Sequence, residues 1–411
     1  MSENWNIDVA HRMRRLPPYL FGQINAMKYE KRKAGIDIID LGMGNPVDPT
    51  PESIVEKLCE ASHDVRNQRY SASKGIYNLR REVARMYERV FGVTGLDPDS
   101  EVITTIGSKE GFSHMCLALI GPGDTAIVGD PYFPIHVYGV ALAGGNVIKV
   151  KLGSDQAFLD NISFVIENLY PKPKLLILNY PHNPTAMTVD SSAFFDEVVA
   201  LAKRTGIMVI HDFAYGLTCF DDYTAPSFMQ AHGAKDVGVE FITMSKPYNM
   251  AGYRIGFCIG NKEMIKALAT IKGYYDYGIY QAIQIASIIG LRECDDDVKA
   301  QAKIYESRRD VVLQGLNKLG WEVESPRASM FVWARVSDKH LAGQGSIDFA
   351  LRMMDEAEVS LAPGRAFGDN GENYVRIALV ENEQRLKQAF RNMDNALNKG
   401  KIAPTASKLN K

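Results

Sequence analysis

The chain has 411 residues, of which 46% are apolar and 23% charged, with a formal net charge of −2, the balance of a globular protein with two domains or one large one. That charge gives no bulk attraction for nucleic acid or an acidic membrane. No apolar run reaches the ~18–20 residues that span a bilayer, the start MSENWNIDVAHRMRR lacks a secretory signal's apolar core, and the five cysteines form no CxxC pair, so a cytoplasmic protein with reduced thiols is expected.

The first 45 or so residues carry a basic, proline-broken arm, HRMRRLPPYLFGQ, then a helix, then the strand DIIDLGMG. From about residue 100 to 260, short runs rich in Val and Ile alternate with helical stretches. The runs are EVITTI, DTAIVG, NVIKVKL, KLLILNY, GIMVIHD, EFITMS and RIGFCIG; stretches such as GFSHMCLALIG and SAFFDEVVALAKRTG place apolar residues at three- and four-residue spacing. This alternation predicts a mostly parallel sheet with helices on both faces, and the strands run apolar throughout because both faces are covered. After about residue 290 a long charged helix around VKAQAKIYESRRDVVLQGLNKLG leads to FVWARV, EVSLAPG and YVRIAL, then to a polar helix from about Glu381 and a tail expected to fray. The expected division is an arm with part of a small domain at 1–45, a large domain at 46–290 and the rest of a small α+β domain at 291–411.

Ligands of open α/β sheets gather at the carboxyl ends of the strands. EVITTI is followed by the glycine turn Gly107-Ser108-Lys109-Glu110-Gly111, DTAIVGD by Pro131-Tyr132, and KLLILNYPH by Asn183-Pro184. GIMVIH is followed by Asp212, with Tyr215 three residues on, and EFITM by Ser245-Lys246. Taken singly, most of these have plain structural explanations: the glycine turn can be a helix start, Asp212 a cap and Asn183 a turn residue. Lys246 resists one, since a lysine between a buried strand and a proline cannot easily snorkel to water.

The set as a whole suits one chemistry. A lysine amine forms a Schiff base with an aldehyde when its surroundings lower its pKa. A carboxylate such as Asp212, facing a pyridine nitrogen, keeps that nitrogen protonated and makes the ring an electron sink, as in pyridoxal phosphate. The glycine turn, hydroxyls from Thr243 or Ser245 and the guanidinium of Arg254 can hold a dianionic phosphate. Tyr215 and Asn183 can reach the ring hydroxyl, and Tyr132 can stack on the ring.

At these residues the sequence resembles the class I pyridoxal-phosphate aminotransferases of the aspartate aminotransferase fold type. The motifs GSKEG, YPHNPT, HDFAY, SKPYNMAGYRIGF and APGRAFGDNGENYVRIA stand in family order, and the resemblance runs from GNP at 44–46 to YVRIA at 374–378. RLPPYLF, IDLGMGNP and YSASKGIYNLR are most similar to bacterial glutamate–pyruvate (alanine) aminotransferases. The resemblance implies a large cofactor domain with a mostly parallel seven-stranded sheet between helices, and a smaller α+β domain built from both chain ends. It implies that Lys246 carries the cofactor and moves the proton between substrate Cα and cofactor C4′, that Asp212 pairs with the pyridine nitrogen, that Tyr215 and Asn183 contact the ring oxygen, and that Tyr132 stacks. Gly107, Ser108, Lys109 through its backbone, Thr243 or Ser245, and Arg254 are implied at the phosphate. Tyr70 matches the tyrosine that reaches a neighbouring subunit's phosphate, which implies a homodimer with shared sites. Arg376 matches the arginine that forks onto the substrate α-carboxylate, with Gly44 offering a backbone N–H to the same group.

Two departures bear on the substrate. The stretch YYDYGIYQAIQ lacks the second arginine that some aspartate aminotransferases use for a distal carboxylate. In another subgroup a lysine of the glycine turn takes that role, and Lys109 stands at that place. The expected reaction is ping-pong exchange between L-alanine/pyruvate and L-glutamate/2-oxoglutarate. The alternatives are an aminotransferase for aspartate, methionine, aromatic or diaminopimelate substrates, or a C–S lyase on the same fold. A regulator that binds the cofactor without turnover lacks a helix-turn-helix here, a nicotinamide enzyme lacks GxGxxG after the first strand, and the eight histidines offer no metal-ligand spacing.

Overall fold

The computed structural model describes residues 8–398, so the tail expected to fray lies outside the described residues. The strands are β1 (Ile39–Asp40), β2 (Val102–Thr105), β3 (Thr125–Asp130), β4 (Asn146–Lys151), β5 (Leu175–Asn179) and β6 (Met208–Asp212). They continue with β7 (Gly238–Thr243), β8 (Gly256–Gly260), β9 (Phe331–Arg335), β10 (Val359–Ser360), β11 (Ala362–Pro363) and β12 (Tyr374–Ala378). All seven Val/Ile-rich runs join one sheet of order β2-β8-β7-β6-β5-β3-β4. It is parallel except at β8, which runs antiparallel to both β2 and β7. The link from β7 to β8 holds only a one-turn helix, Ala251–Tyr253, and no crossover helix that could return the chain to the starting edge.

The pleat divides each central strand between two cores. In β5, Leu176 and Leu178 join one cluster with Val209, while Leu175 and Ile177 join another with Ile210. Helices Pro134–Leu142 and Ala193–Thr205 cover opposite faces, through Val140 in the second cluster and Phe194, Phe195, Val198 and Val199 in the first. At the margin, β4 is only partly buried and carries Lys149 and Lys151, charges that protect an edge strand.

A third core is built from both ends of the chain. Ile39 and Leu41 pack with Val332, Ala334, Phe349, Val375, Ile377 and Leu386. β1 pairs in parallel with β10, Ile39 opposite Val359, while β11, β12 and β9 form an antiparallel sheet. The run EVSLAPG, read as one strand, is two short ones, because the chain changes partners at Leu361 from β1 to β12. The long helix Asp295–Lys318 spans the cores: Val298 packs in the first cluster, and Tyr305, Val312 and Leu316 in the third. No helix among the described residues is long and apolar enough to cross a membrane.

Candidate active site

β5, β6 and β7 end side by side, with Asn179 opposite Asp212 and Asp212 opposite Phe241. The chain beyond them therefore presents Asn183, Asp212, Tyr215 and Lys246 at one sheet edge. The third core faces this edge with Gly44 and with Arg376 of β12. Between them lies a cavity of about 280 Å³, lined by Gly44, Ser108, Lys109, Asn183, Asp212, Tyr215, Thr243, Ser245, Lys246, Arg254 and Arg376 among others.

The strand run EFITMS ends sooner than its composition suggests. Thr243 Oγ1 accepts from the Ser245 N–H at 3.1 Å, which turns the chain after Thr243 and swings Lys246 into the cavity. Lys246 Nζ donates to the Gly44 carbonyl at 2.8 Å. Burial, with the neighbouring Arg376 and Arg254 guanidinium groups, lowers its pKa to about 8. The amine is thus far more available near neutral pH than that of a solvated lysine.

The helix Ser108–Leu119 points its N-terminus at the cavity, with Gly107 as its cap at φ +72°. A Cβ on Gly107 would stand 2.3 Å from Arg254 Nη2, so the missing side chain lets the guanidinium lie against the turn. Arg254 is otherwise held by backbone carbonyls, Nη1 donating to Ala251 O at 2.8 Å. Thr243 Oγ1 and Ser245 Oγ lie 2.9 Å apart and Ser108 Oγ donates to Ile242 O at 3.3 Å, so three hydroxyls share this end of the cavity with the helix N-terminus.

Asp212 is held on one side only. Its Oδ2 accepts from His136 Nε2 at 2.9 Å, while its buried Oδ1 has no partner. Opposite, Arg376 donates through Nη1 to Asn183 Oδ1 at 2.8 Å and through Nη2 to Gly42 O at 3.0 Å. Its guanidinium carbon lies 4.0 Å from the ring centre of Phe331 and 4.6 Å from that of Phe367. Asn183 Nδ2 also donates to Tyr215 Oη at 3.3 Å, tying the two strand-end residues to the arginine. Among the described residues, Lys109, Lys246, Arg254 and Arg376 pair with no carboxylate, and burial lowers the Arg376 pKa to about 10 and that of Lys109 as well. A cavity with several unpaired cations and one acid calls for an anionic occupant with more than one negative group.

Two sequence candidates stand elsewhere. Tyr132 does not line the cavity: its N–H donates to Phe367 O at 2.7 Å and its ring lies toward Lys149, 5.7 Å from Nζ. The ring that this turn offers to the cavity is that of Phe133, just before helix Pro134–Leu142. Tyr70 is 88% exposed, away from the cavity, with its ring 4.9 Å from that of Tyr277. Sequence reasoning missed His136, Phe133, Phe331, Tyr19 and Phe21. For His136 a signal existed, since it follows Phe133 at helical spacing on an apolar helix; for Phe331, a continuously apolar strand gives no sign of which ring faces a ligand.

The residues fit pyridoxal phosphate. Asp212 Oδ1 offers the acceptor for a ring N–H, Lys246 the amine for its aldehyde, and the glycine turn with Arg254 the donors for its phosphate. A lysine, an acid and a phosphate cradle at the carboxyl edge of such a sheet define a pyridoxal-phosphate enzyme. Residues 36–392 match the family of class I and II aminotransferases, and the chain belongs to that family. It is 46% identical over 397 residues to glutamate-pyruvate aminotransferase AlaC of Escherichia coli, covering 97% of this chain and 96% of that one. It is 42% identical over 390 residues to LL-diaminopimelate aminotransferase of Moorella thermoacetica, covering 95% and 98%. The substrate-bound BacF structure from Bacillus subtilis superposes with a TM-score of 0.89 at 31% identity, covering 95% of this chain and 98% of that one. The protein is a pyridoxal-phosphate-dependent aminotransferase.

Proposed function

We propose that the protein exchanges the amino group between L-alanine/pyruvate and L-glutamate/2-oxoglutarate by a ping-pong mechanism. The observation that carries this is Arg376, a buried guanidinium with no carboxylate partner, set among Phe21, Phe331 and Phe367 at the same cavity as Lys246. A planar fork of this kind suits an α-carboxylate, and the rings beside it suit a small apolar side chain. Lys109, unpaired and lining the cavity, supplies a cation for the distal carboxylate of glutamate. The likeness to AlaC supports the same pair.

When bound, pyridoxal phosphate supplies an aldehyde for the amino group and a protonated ring to draw electron density from the substrate Cα. Asp212 keeps that ring proton in place, itself held by His136. Lys246 would hold the aldehyde of the group and, once its amine is free, would serve to move the proton between substrate Cα and C4′, with a pKa near 8 that suits a base that becomes an acid. Asn183 and Tyr215 steady the ring oxygen, and the Arg376 grip aligns the Cα–H bond. Residues 46–290 carry the cofactor in this reading, and the two chain ends form the smaller domain. A second copy of the chain completes each site through Tyr70.

LL-diaminopimelate is the second reading, favoured by relatives such as the Moorella enzyme. The deciding experiment follows the absorbance of the cofactor-loaded protein as single amino acids are added without any keto acid. Conversion to the pyridoxamine spectrum with alanine and glutamate, but weakly with aspartate and LL-diaminopimelate, is the expected result. A strong response to diaminopimelate with little to alanine would replace the substrate and keep the chemistry.

A further inference from the structure

The arm sequence RLPPYLF gives Tyr19 and Phe21 to the cavity lining, and nothing in the cofactor chemistry uses them. We propose that segment 15–21 is a strap that limits the length of the substrate side chain, with Tyr19 and Phe21 as specificity-determining residues and Arg15 as the positioning residue that holds them. The proposal rests on the assignment of Arg376 to the substrate α-carboxylate.

The strap is tied at both ends to different parts of the molecule. Upstream, Arg15 donates to Gly145 O at 2.7 Å and to Ala141 O at 3.5 Å. These carbonyls lie at and just past the C-terminal end of helix Pro134–Leu142, the negative end of its dipole, and Ala141 O also accepts from the Gly144 N–H at 3.1 Å. Downstream, Tyr19 caps helix Leu20–Lys33, whose Ile24 packs with Ile38 and Met354 and whose buried Lys28 pairs with Asp40 at 2.5 Å. Between the two ties stand Pro17 and Pro18, whose rings fix φ and remove slack from the backbone.

The position of the ties matters. Helix Pro134–Leu142 gives Phe133, Pro134 and Ile135 to the cavity wall at its other end. The strap therefore fastens to the far end of an element whose start also lines the cavity, so that one helix links the two sets of lining residues. The Tyr19 and Phe21 rings lie 5.9 Å apart and both line the cavity. The Phe21 ring packs edge-on against Phe367 at 5.5 Å, and its centre is 5.9 Å from the Arg376 guanidinium carbon. The absence of a side chain at Gly22 lets the Tyr19 ring fold back: a Cβ there would stand 3.2 Å from Tyr19 Cδ1. An amino acid whose carboxylate sits on Arg376 and whose amine faces Lys246 has only its side chain left to place, and these rings bound that space. Apolar walls of this kind discriminate by roughly ten- to two-hundredfold per methylene when the fit is tight.

The test uses the cofactor-loaded protein and the straight-chain donors alanine, 2-aminobutyrate, norvaline and norleucine, with kcat/KM measured for the half-reaction of each. In parallel, dissociation constants of propanoate through hexanoate, read from the cofactor absorbance, report the same space without turnover. Phe21→Ala is expected to raise the norvaline-to-alanine ratio by about tenfold or more, and Tyr19→Ala to shift it in the same direction. Arg15→Ala should give a smaller shift of the same sign, and Arg15→Lys, which keeps a donor for the helix end, should restore the wild-type ratio. Ratios within about twofold of wild type in both ring variants, for donors and acids alike, would overturn the strap. If Phe21→Ala does not fold, Phe21→Leu and Tyr19→Ala decide the matter. A wild-type protein that prefers norleucine to alanine would remove the alanine assignment, yet the shift between variant and wild type would still decide the strap. Arg376→Gln, weakening every acid equally, checks the anchor separately.

Discussion

In the reaction proposed above, Lys246 does the most demanding chemistry with a side chain whose ordinary pKa is unsuited to it. Its pKa falls from 10.5 to about 8 through burial and two guanidinium groups, so the reactive neutral amine grows in as pH rises through about 8. In cofactor-free protein, acylation of Lys246 by a small neutral reagent, read by mass spectrometry, should show that midpoint. Arg376→Gln removes a positive neighbour and should move the midpoint upward. Lys246→Ala should remain folded and bind the cofactor but lose turnover; retained full activity would defeat the assignment. Arg376→Lys, which loses the planar fork, should raise KM for amino donors roughly ten- to a hundredfold, measured by steady-state kinetics. Lys246 was legible in the sequence because a lysine between a buried strand and a proline is chemically out of place, whereas Asp212 and Arg254 stood out only as members of a set with it. Phe133 and Tyr132 were not separable, since adjacent aromatic residues in a turn carry no periodicity to say which one faces inward.

The elements were legible where composition and burial agree. All seven Val/Ile-rich runs are strands because a doubly covered sheet needs apolar residues on both faces. What stayed hidden is pairing: the reversal at β8 and the split of EVSLAPG depend on partners far along the chain. Equally hidden was the acid within β7. Glu240 is fully buried and accepts from Tyr87 Oη, Ser227 Oγ and the Phe228 N–H, each at 2.7 Å, and from His211 Nδ1 at 2.8 Å. It joins β7 to β6 and to the helix Tyr77–Phe91. Glu240→Ala would leave four donors unpaired and should cost about 3–5 kcal/mol in urea unfolding. Gly107→Ala is of a different kind: it strains a left-handed cap and crowds Arg254. It should lower cofactor affinity about tenfold or more with little change in stability, measured by equilibrium titration.

At the scale of the whole molecule, the surface around Tyr70 bears on assembly. Tyr70, Tyr274 and Tyr277 are exposed on one chain, while Ser73 Oγ donates to Asp276 O at 2.9 Å and ties their two segments together. If this face meets a second copy, sedimentation should give about twice the 45.7 kDa chain mass, and Tyr70→Ala should weaken cofactor binding in the assembled form. A monomer with full affinity would end that proposal.

The pairing of Ile39 with Val359 also has a consequence for how the protein is made. A ribosome delivers Ile39 and Leu41 long before β9, β10 and β12 exist, so the arm must wait without its partners while the large sheet is synthesised. Contacts so distant in sequence form slowly, and the waiting apolar residues invite chaperones. The order of synthesis is thus an order of competence: Asp212 and Lys246 are in hand first, and Arg376, the proposed grip on substrate, arrives only with the last strand.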